Sequence, residues 1–231
     1  MYTYCVKINK RSKKLILRVM DDKIIVTAPP YATKKVIDAF VDTRENWIRE
    51  QLENRDYTSF QDIKSIYLYG LKHGFKIEID DRKSIKIIKD DVLIVMSVPT
   101  VSTDEQMIFA FKRWLKKQAE DFLEQRITYL QQQPEVFEIT SKYLKKYRVR
   151  YLKSAFGLCY ARRNEIVLNA ELVQYDAKIL DYVILHEISH FIEQNHSKAF
   201  YDVFETLEPE WKSLKKELDE LHKKMGGWSY R

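Results

Sequence analysis

Long apolar runs are missing from this sequence. No stretch approaches the roughly 18 residues that a membrane-spanning helix needs, so no membrane partner is expected. Cysteine is nearly absent: Cys5 and Cys159 cannot build the disulfide framework on which small secreted domains rely. Glycine and proline number five each, too few for long flexible linkers, for a hinged lid or for a glycine-rich phosphate loop. The segment Met1 to Lys14 holds five basic residues and no apolar core, which excludes a secretory signal. Together these absences predict a protein of the reducing cytoplasm. Charge of one sign does not dominate either. The formal charge is +6 but lysines and acids are interspersed. A nucleotide or nucleic acid is therefore a secondary partner expectation, with no basic stripe interleaved with aromatics to support it.

What is present is concentrated in one stretch, His186 to His196, which holds three of the five histidines. His186 and His190 are four apart and fall on one face of a helix, with Cβ atoms about 5–6 Å apart. Two imidazoles so placed can reach one metal ion at about 2.0–2.1 Å. Glu187 follows the first histidine, giving the H-E-x-x-H pattern in which the carboxylate acts as general base of a zinc hydrolase. His196 is a candidate third ligand, which leaves a fourth position for water. Asp176 is an N-cap candidate for a helix from Ala177 to Phe191, whose apolar residues form a wide stripe. That helix must end before His196 for the third imidazole to reach back. Asn195, in a left-handed conformation, is the expected terminator, and Ser197 the cap of a following helix over Lys198 to Leu207.

The rest reads as an α+β chain. A β-hairpin is expected over residues 4–28, turning at Asp21-Asp22, and Thr33 caps a helix from Lys34 to Leu52 with Val36, Ile37, Val41, Trp47 and Ile48 on its apolar side. Strands are expected over Ile66–Leu71, Phe75–Ile79, Ile85–Ile87 and Val92–Val98. A long helix then runs from Asp104 to Gln132 and ends at Pro134. The order strand, proline, cap, helix, tryptophan occurs twice, which suggests a ββα duplication. Three more strands, Tyr147–Leu152, Ala155–Tyr160 and Glu165–Asn169, precede the histidine helix, with Arg162-Arg163-Asn164 as a hairpin turn. A last helix from Pro209 ends at Gly226-Gly227. The expected domains are an N-terminal β-rich region, 1–101, and a zincin-like part, 102–231, made of a backing helix, a small antiparallel sheet and the metal-binding helix. His73 and His222 are expected at the surface, Cys159 in the core, and Glu193 in solvent or beside a ligand histidine. Tyr160 and Tyr201 are candidates for an oxyanion partner or for packing.

Val183 to His190, followed by Asn195-His196-Ser197-Lys198-Ala199-Phe200-Tyr201, resembles the YgjP-like metallopeptidase family, which is related to the SprT-type proteases. The likeness extends to the Lys13-Lys14-Leu15 hairpin, Ala28-Pro29 and Trp47-Ile48. It implies a zinc-dependent hydrolase with His186, His190 and His196 as ligands and Glu187 as base. One segment departs from the family's K-S-R-W-G-S-C: Lys153 to Cys159 retains Gly157 and Cys159 but has Ala155, Phe156 and Leu158 for the Arg, Trp and second Ser. A substrate contact made by that Arg would be lost here or pass to Arg162 or Arg163. The metzincin spacing is matched in length, but Glu193 stands where its glycine would be and Met225 is a poor Met-turn residue.

The expected activity is therefore peptide hydrolysis, on extended or unfolded protein, at a shallow solvent-accessible site. Two alternatives stand beside it. One is hydrolysis of nucleoside triphosphates, with Arg162 and Arg163 on the phosphates. The other is a zinc-stabilised binding module with no catalysis.

Overall fold

The computed structural model describes residues 2–20, 23–53, 60 and 63–224. The expected features at Asp21-Asp22, Met225 and Gly226-Gly227, and the side chain of Leu52, lie outside the described residues. The fold is mixed α+β, with three small sheets and seven α-helices among the described residues. The chain divides into two compact units, Met1–Thr58 and Ser59–Arg231. The boundary expected at 101/102 falls inside the second unit. There the strands and the long helix that follows share one core, Ile66, Phe75 and Ile94 with Phe111 and Leu115.

The first unit is a three-stranded sheet with two helices. The strands β1 (Tyr4–Ile8), β2 (Ile16–Met20) and β3 (Lys23–Ala28) lie in the order β1-β3-β2. The hairpin expected over 4–28 is β2–β3 alone; β1 pairs parallel with β3, Tyr4 opposite Ile24 and Ile8 opposite Ala28. The single expected helix is two, α1 (Lys34–Asp42) and α2 (Glu45–Glu53). Thr33 caps α1 by accepting the Val36 N–H. Thr43 ends it, donating its hydroxyl back to the Phe40 carbonyl and its N–H to Ala39. The core joins Ile24, Val26 and Ala28 of β3 to Ile37, Val41 and Ile48. Val36 and Trp47, expected on the same face, are exposed, because the break between α1 and α2 changes which positions meet the sheet.

The second unit opens on a four-stranded sheet in the order β4-β5-β7-β6, from β4 (Ser65–Leu68), β5 (Leu71–Asp80), β6 (Lys86–Lys89) and β7 (Leu93–Pro99). β5 runs parallel to β7, and β6 antiparallel to it. This repeats the arrangement of β1, β2 and β3, and α3 (Asp104–Leu130) follows β7 as α1 follows β3. The repeat foreseen as ββα thus contains one more strand per copy, which sequence adjacency conceals because first and third strands pair. Thr103 closes a capping box with Gln106 at the start of α3. Tyr69 and Gly70, both with positive φ, form the two-residue turn between β4 and β5. Pro134, expected only as a terminator, opens α4 (Pro134–Tyr143), since its missing N–H is harmless at a first helical position.

The site-bearing part follows. β8 (Lys146–Arg150), β9 (Gly157–Tyr160) and β10 (Glu165–Asn169) lie in the order β8-β10-β9. The sheet is mixed rather than antiparallel: β10 is antiparallel to β9 and parallel to β8. The short turn at 161–164, with Asn164 left-handed, folds β10 back along β9, and this seats β10 between the two earlier strands. β10 is buried throughout. Helices α5 (Ala177–Ser189), α6 (Lys198–Leu207) and α7 (Trp211–Lys224) complete the unit. No described helix is long and apolar enough to cross a membrane.

Candidate metal centre

The helix α5 starts where expected. Asp176 accepts the Ile179 N–H at 3.0 Å. The β4–β5 turn braces this start: Tyr69 N–H donates to the Val173 carbonyl at 2.7 Å and Gly70 N–H to that of Gln174 at 3.2 Å. Gly70 has φ +79°, and a Cβ there would lie 2.7 Å from that of Asp176, so glycine is required on both counts. On its other flank α5 is tied to α3 by Arg126, which donates to both oxygens of Asp181 at 2.8 and 2.6 Å.

α5 ends at Ser189, earlier than expected, with His190 as its C-cap. The Ser189 hydroxyl donates back to the Leu185 carbonyl, and Phe191 and Ile192 N–H groups reach only three residues back, tightening the last turn. Asn195 is not left-handed. The elbow is organised by Glu193 instead: its carboxylate accepts the Asn195 N–H at 3.2 Å and its carbonyl accepts from His190 Nδ1 at 3.0 Å. Ser197 then caps α6 as expected. This brings His196 back to the helix, with its Nε2 3.0 Å from His186 Nε2.

His186, His190 and His196 each offer one ring nitrogen, all within 4.8 Å of one another, and together could hold one metal ion. Three imidazole nitrogens gathered this closely are a donor set of the kind that zinc takes. The bond to the Glu193 carbonyl uses His190 Nδ1 and leaves Nε2 for the cation. Phe200, buried, lies beneath all three rings at centroid distances of 5.0, 4.6 and 4.8 Å. His186 and His190 are half-buried and His196 is exposed, so the cluster opens to solvent on the His196 side. Burial, then the neighbouring imidazoles, pushes His186 down to about 3, and burial, opposed by the bond to Glu193, lowers His190; both shifts favour the neutral ring that can ligate a cation.

Glu187 lies on the same helix but turns into the protein, 6% exposed, against β9. Burial pushes its carboxyl up to about 8, opposed by a hydrogen bond from the Cys159 N–H. A Cβ on Gly157 would stand 2.6–2.8 Å from the Glu187 carboxyl and its Cγ, so that strand can approach only as glycine. Gly157 and Cys159, which the altered segment shares with the family pattern, both touch Glu187.

Two histidines, His73 and His222, take places the sequence did not foretell. His73 is buried, 2% exposed, with Nδ1 at the Leu71 carbonyl, because β5 lies inside the four-stranded sheet. His222 is half-buried, 3.2 Å from the Tyr175 hydroxyl and edge-on to Phe156. Cys159 packs partly against the core, and burial pushes its thiol up to about 12. Cys5 and Cys159 are both free thiols. Tyr201 stacks on Trp211, while Tyr160 is exposed on β9 beneath the Arg163 guanidinium. Arg162 and Arg163 are exposed at the β9–β10 turn. Gly157, the Glu193 carbonyl and the Arg126–Asp181 pair escaped the sequence reading; only the unusual glycine in a short strand was a signal.

Residues 13–221 match the family described as YgjP-like, metallopeptidase domain. The chain belongs to the YgjP-like family. Membership supports a hydrolase and implies a metal ion, usually zinc, and a peptide substrate. Among solved structures this YgjP-like chain is similar to the metallopeptidase zymogen of Pyrococcus abyssi, abylysin, at 19% identity over 46% of this chain and 96% of that one, with a TM-score of 0.36. No curated protein matches it.

Proposed function

We propose that this YgjP-like chain hydrolyses peptide bonds with zinc held by His186, His190 and His196 and with Glu187 as general base. The observation that carries the reading is the convergence of three imidazoles from the end of α5 and the elbow after it, with a buried carboxylate, Glu187, on the same helix as His186. Bound there, zinc supplies the Lewis acidity that ionises a water and polarises a carbonyl. The remaining work falls to the chain. The ionised form of Glu187, which burial disfavours and a cation on the histidines would favour, takes the water's proton and passes it to the leaving amine. Its carboxylate is fixed for that task by the Cys159 N–H and the bare backbone at Gly157. His190 is kept from rotating by the Glu193 carbonyl.

Residues 102–231 then act as the zincin-like catalytic part, with α3 as backing helix, β8–β10 as its sheet and α5 as metal helix. β9 is an outer strand, and among the described residues its other edge pairs with no strand. An extended peptide can align there by main-chain hydrogen bonds, which suits unfolded protein with little side-chain selection. The two free thiols suit a reducing cytoplasm.

The test is protein purified without chelator. Zinc near one equivalent is expected. Below about a tenth of an equivalent, with no uptake on adding zinc, the metal site is refuted. Zinc-loaded protein should cleave a denatured-protein library, and Glu187→Gln should keep metal and fold while losing turnover by at least about a hundredfold. Cleavage of nucleoside triphosphates alone would overturn the peptidase reading and leave the zinc assignment standing.

A further inference from the structure

One end of the first unit's sheet gathers cations, and among the described residues no acid forms an ion pair with them. β1 and β3 run parallel and β2 runs against them. The β1–β2 loop, the turn after β3 and the first turn of α1 therefore share that end. Residues 7–14 contribute Lys7, Lys10, Arg11, Lys13 and Lys14, with no acid among them. Lys34 and Lys35 occupy the first turn of α1, where the helix dipole disfavours cations, and no acid joins them there. All seven are exposed. Among the described residues none takes part in an ion pair. The second unit is different: Lys117, Lys198 and Lys215 each hold an acid four residues on. Asp38, on the following turn of α1, accepts from the Tyr4 hydroxyl.

The cationic loop has a fixed shape. Asn9 N–H donates to the Ala28 carbonyl at 2.9 Å, and the Asn9 side-chain oxygen accepts the Arg11 N–H at 2.9 Å. Ser12 N–H donates to the Asn9 carbonyl at 3.0 Å and the Ser12 hydroxyl to that of Lys14 at 2.6 Å. The Tyr31 hydroxyl donates to the Lys13 carbonyl at 3.2 Å, while 73% of that residue stays exposed. An aromatic ring is thus pinned, open to solvent, against the cationic loop.

We propose that this end binds single-stranded nucleic acid, with the loop cations on successive phosphates and a base stacked on Tyr31. Like charges held together at a helix N-terminus destabilise the unit by itself and are relieved by a polyanion. Duplexes and lipid headgroups also offer phosphates, but only an unpaired base offers a flat face to an exposed ring. Residues 9–14 include no apolar side chain that could enter a bilayer. The surface lies in the first unit and does not depend on the hydrolase reading.

The test is fluorescence anisotropy of the full chain with labelled DNA and RNA single strands of about 12 nucleotides, at about 50 to 200 mM salt. Binding that weakens with salt is expected. The K10Q/R11Q/K13Q/K14Q variant should lower the log–log salt slope by up to about 3, at roughly 0.7 per phosphate contact. Tyr31→Ala should weaken binding about tenfold. K215Q/K216Q should bind as the parent does, and unchanged melting temperatures would show that the variants fold. Binding to either polymer with this dependence supports the site, and the two arms tell which polymer it prefers. Absence of binding at the lowest salt, a loop variant or Tyr31→Ala variant equal to the parent, or binding to phosphatidylserine vesicles but not to oligonucleotides would each overturn it.

Discussion

Replacing Gly157 by alanine adds one methyl group at the place where β9 meets Glu187, the proposed general base. That methyl would stand 2.6 Å from Glu187 Oε1, 2.7 Å from Cγ and 2.8 Å from Cδ. Three atoms of one side chain are involved, and Glu187 is only 6% exposed, so the carboxylate cannot swing aside into water. Either Glu187 or the strand must move by several tenths of an ångström. Overpacking of this kind costs about 1–3 kcal/mol. The gain from a less flexible unfolded chain is about 0.4–1 kcal/mol, so overpacking wins and net destabilisation of about 1–2 kcal/mol is expected. In a unit this size that is about 3–6 °C in melting temperature. The larger effect is on turnover. A shift of the base approaching 1 Å costs up to about a hundredfold, and the Cys159 N–H loses its partner. The three imidazoles come from α5 and the elbow after it, so zinc content should stay near one equivalent. The assay is kcat/KM on a denatured protein, with metal content and melting temperature measured on the same preparation. Full activity in Gly157→Ala would refute the contact as the device that positions Glu187. Loss of zinc in parallel with activity would show that the strain passes to the histidines instead.

Two further outcomes follow from charge pairs. Arg126→Met leaves the Asp181 carboxylate largely buried without its bidentate partner; side-chain exposures of 20% and 14% reduce the full cost of a broken buried pair to about 2–3 kcal/mol by urea unfolding. The double replacement with Asp181→Leu should recover most of it, and a single-variant loss below about 0.5 kcal/mol would refute the tie between α3 and α5. Hydrogen bonding from Arg148, chiefly, holds the Glu165 carboxyl below the usual carboxylate range. Its folded pKa is below the unfolded value of about 4.3, so the ionised form adds stability above that pH which is lost as pH falls through the folded value. The melting temperature of Glu165→Gln should accordingly fall less between about pH 5 and 3 than that of the parent; parallel profiles would refute the pairing.

Much of the site was legible because it is local. The capping residues Thr33, Thr103, Asp176 and Ser197 each act on an N–H three residues ahead, a distance the sequence displays directly. The helical face carrying His186 and His190 is set by the same short-range geometry. Failures begin where two local solutions compete. Asn195 offered a left-handed stop, but the chain had already stopped at Ser189, because Glu193 gains two hydrogen bonds only if the elbow closes early. His73 reads as a surface residue among polar neighbours, yet β5 runs between β4 and β7 and buries it.

The sequence by itself determined where α1, α3, α5 and α6 start and how they are capped, the two copies of the strand–helix pattern and the residues that can ligate a metal, since each depends on residues within about one or two helical turns of one another; it did not show the break between α1 and α2 or the separate helix α4. Tertiary structure alone decided that β1 and β5 pair with the third strand of their copies, that β10 inserts between β8 and β9, and that Gly157 abuts Glu187. It also decided that Arg126 reaches Asp181 across 55 residues and that His190 presents one nitrogen rather than the other. Such pairings are chosen by which apolar surfaces close around a common core, and that choice is made only when distant segments meet.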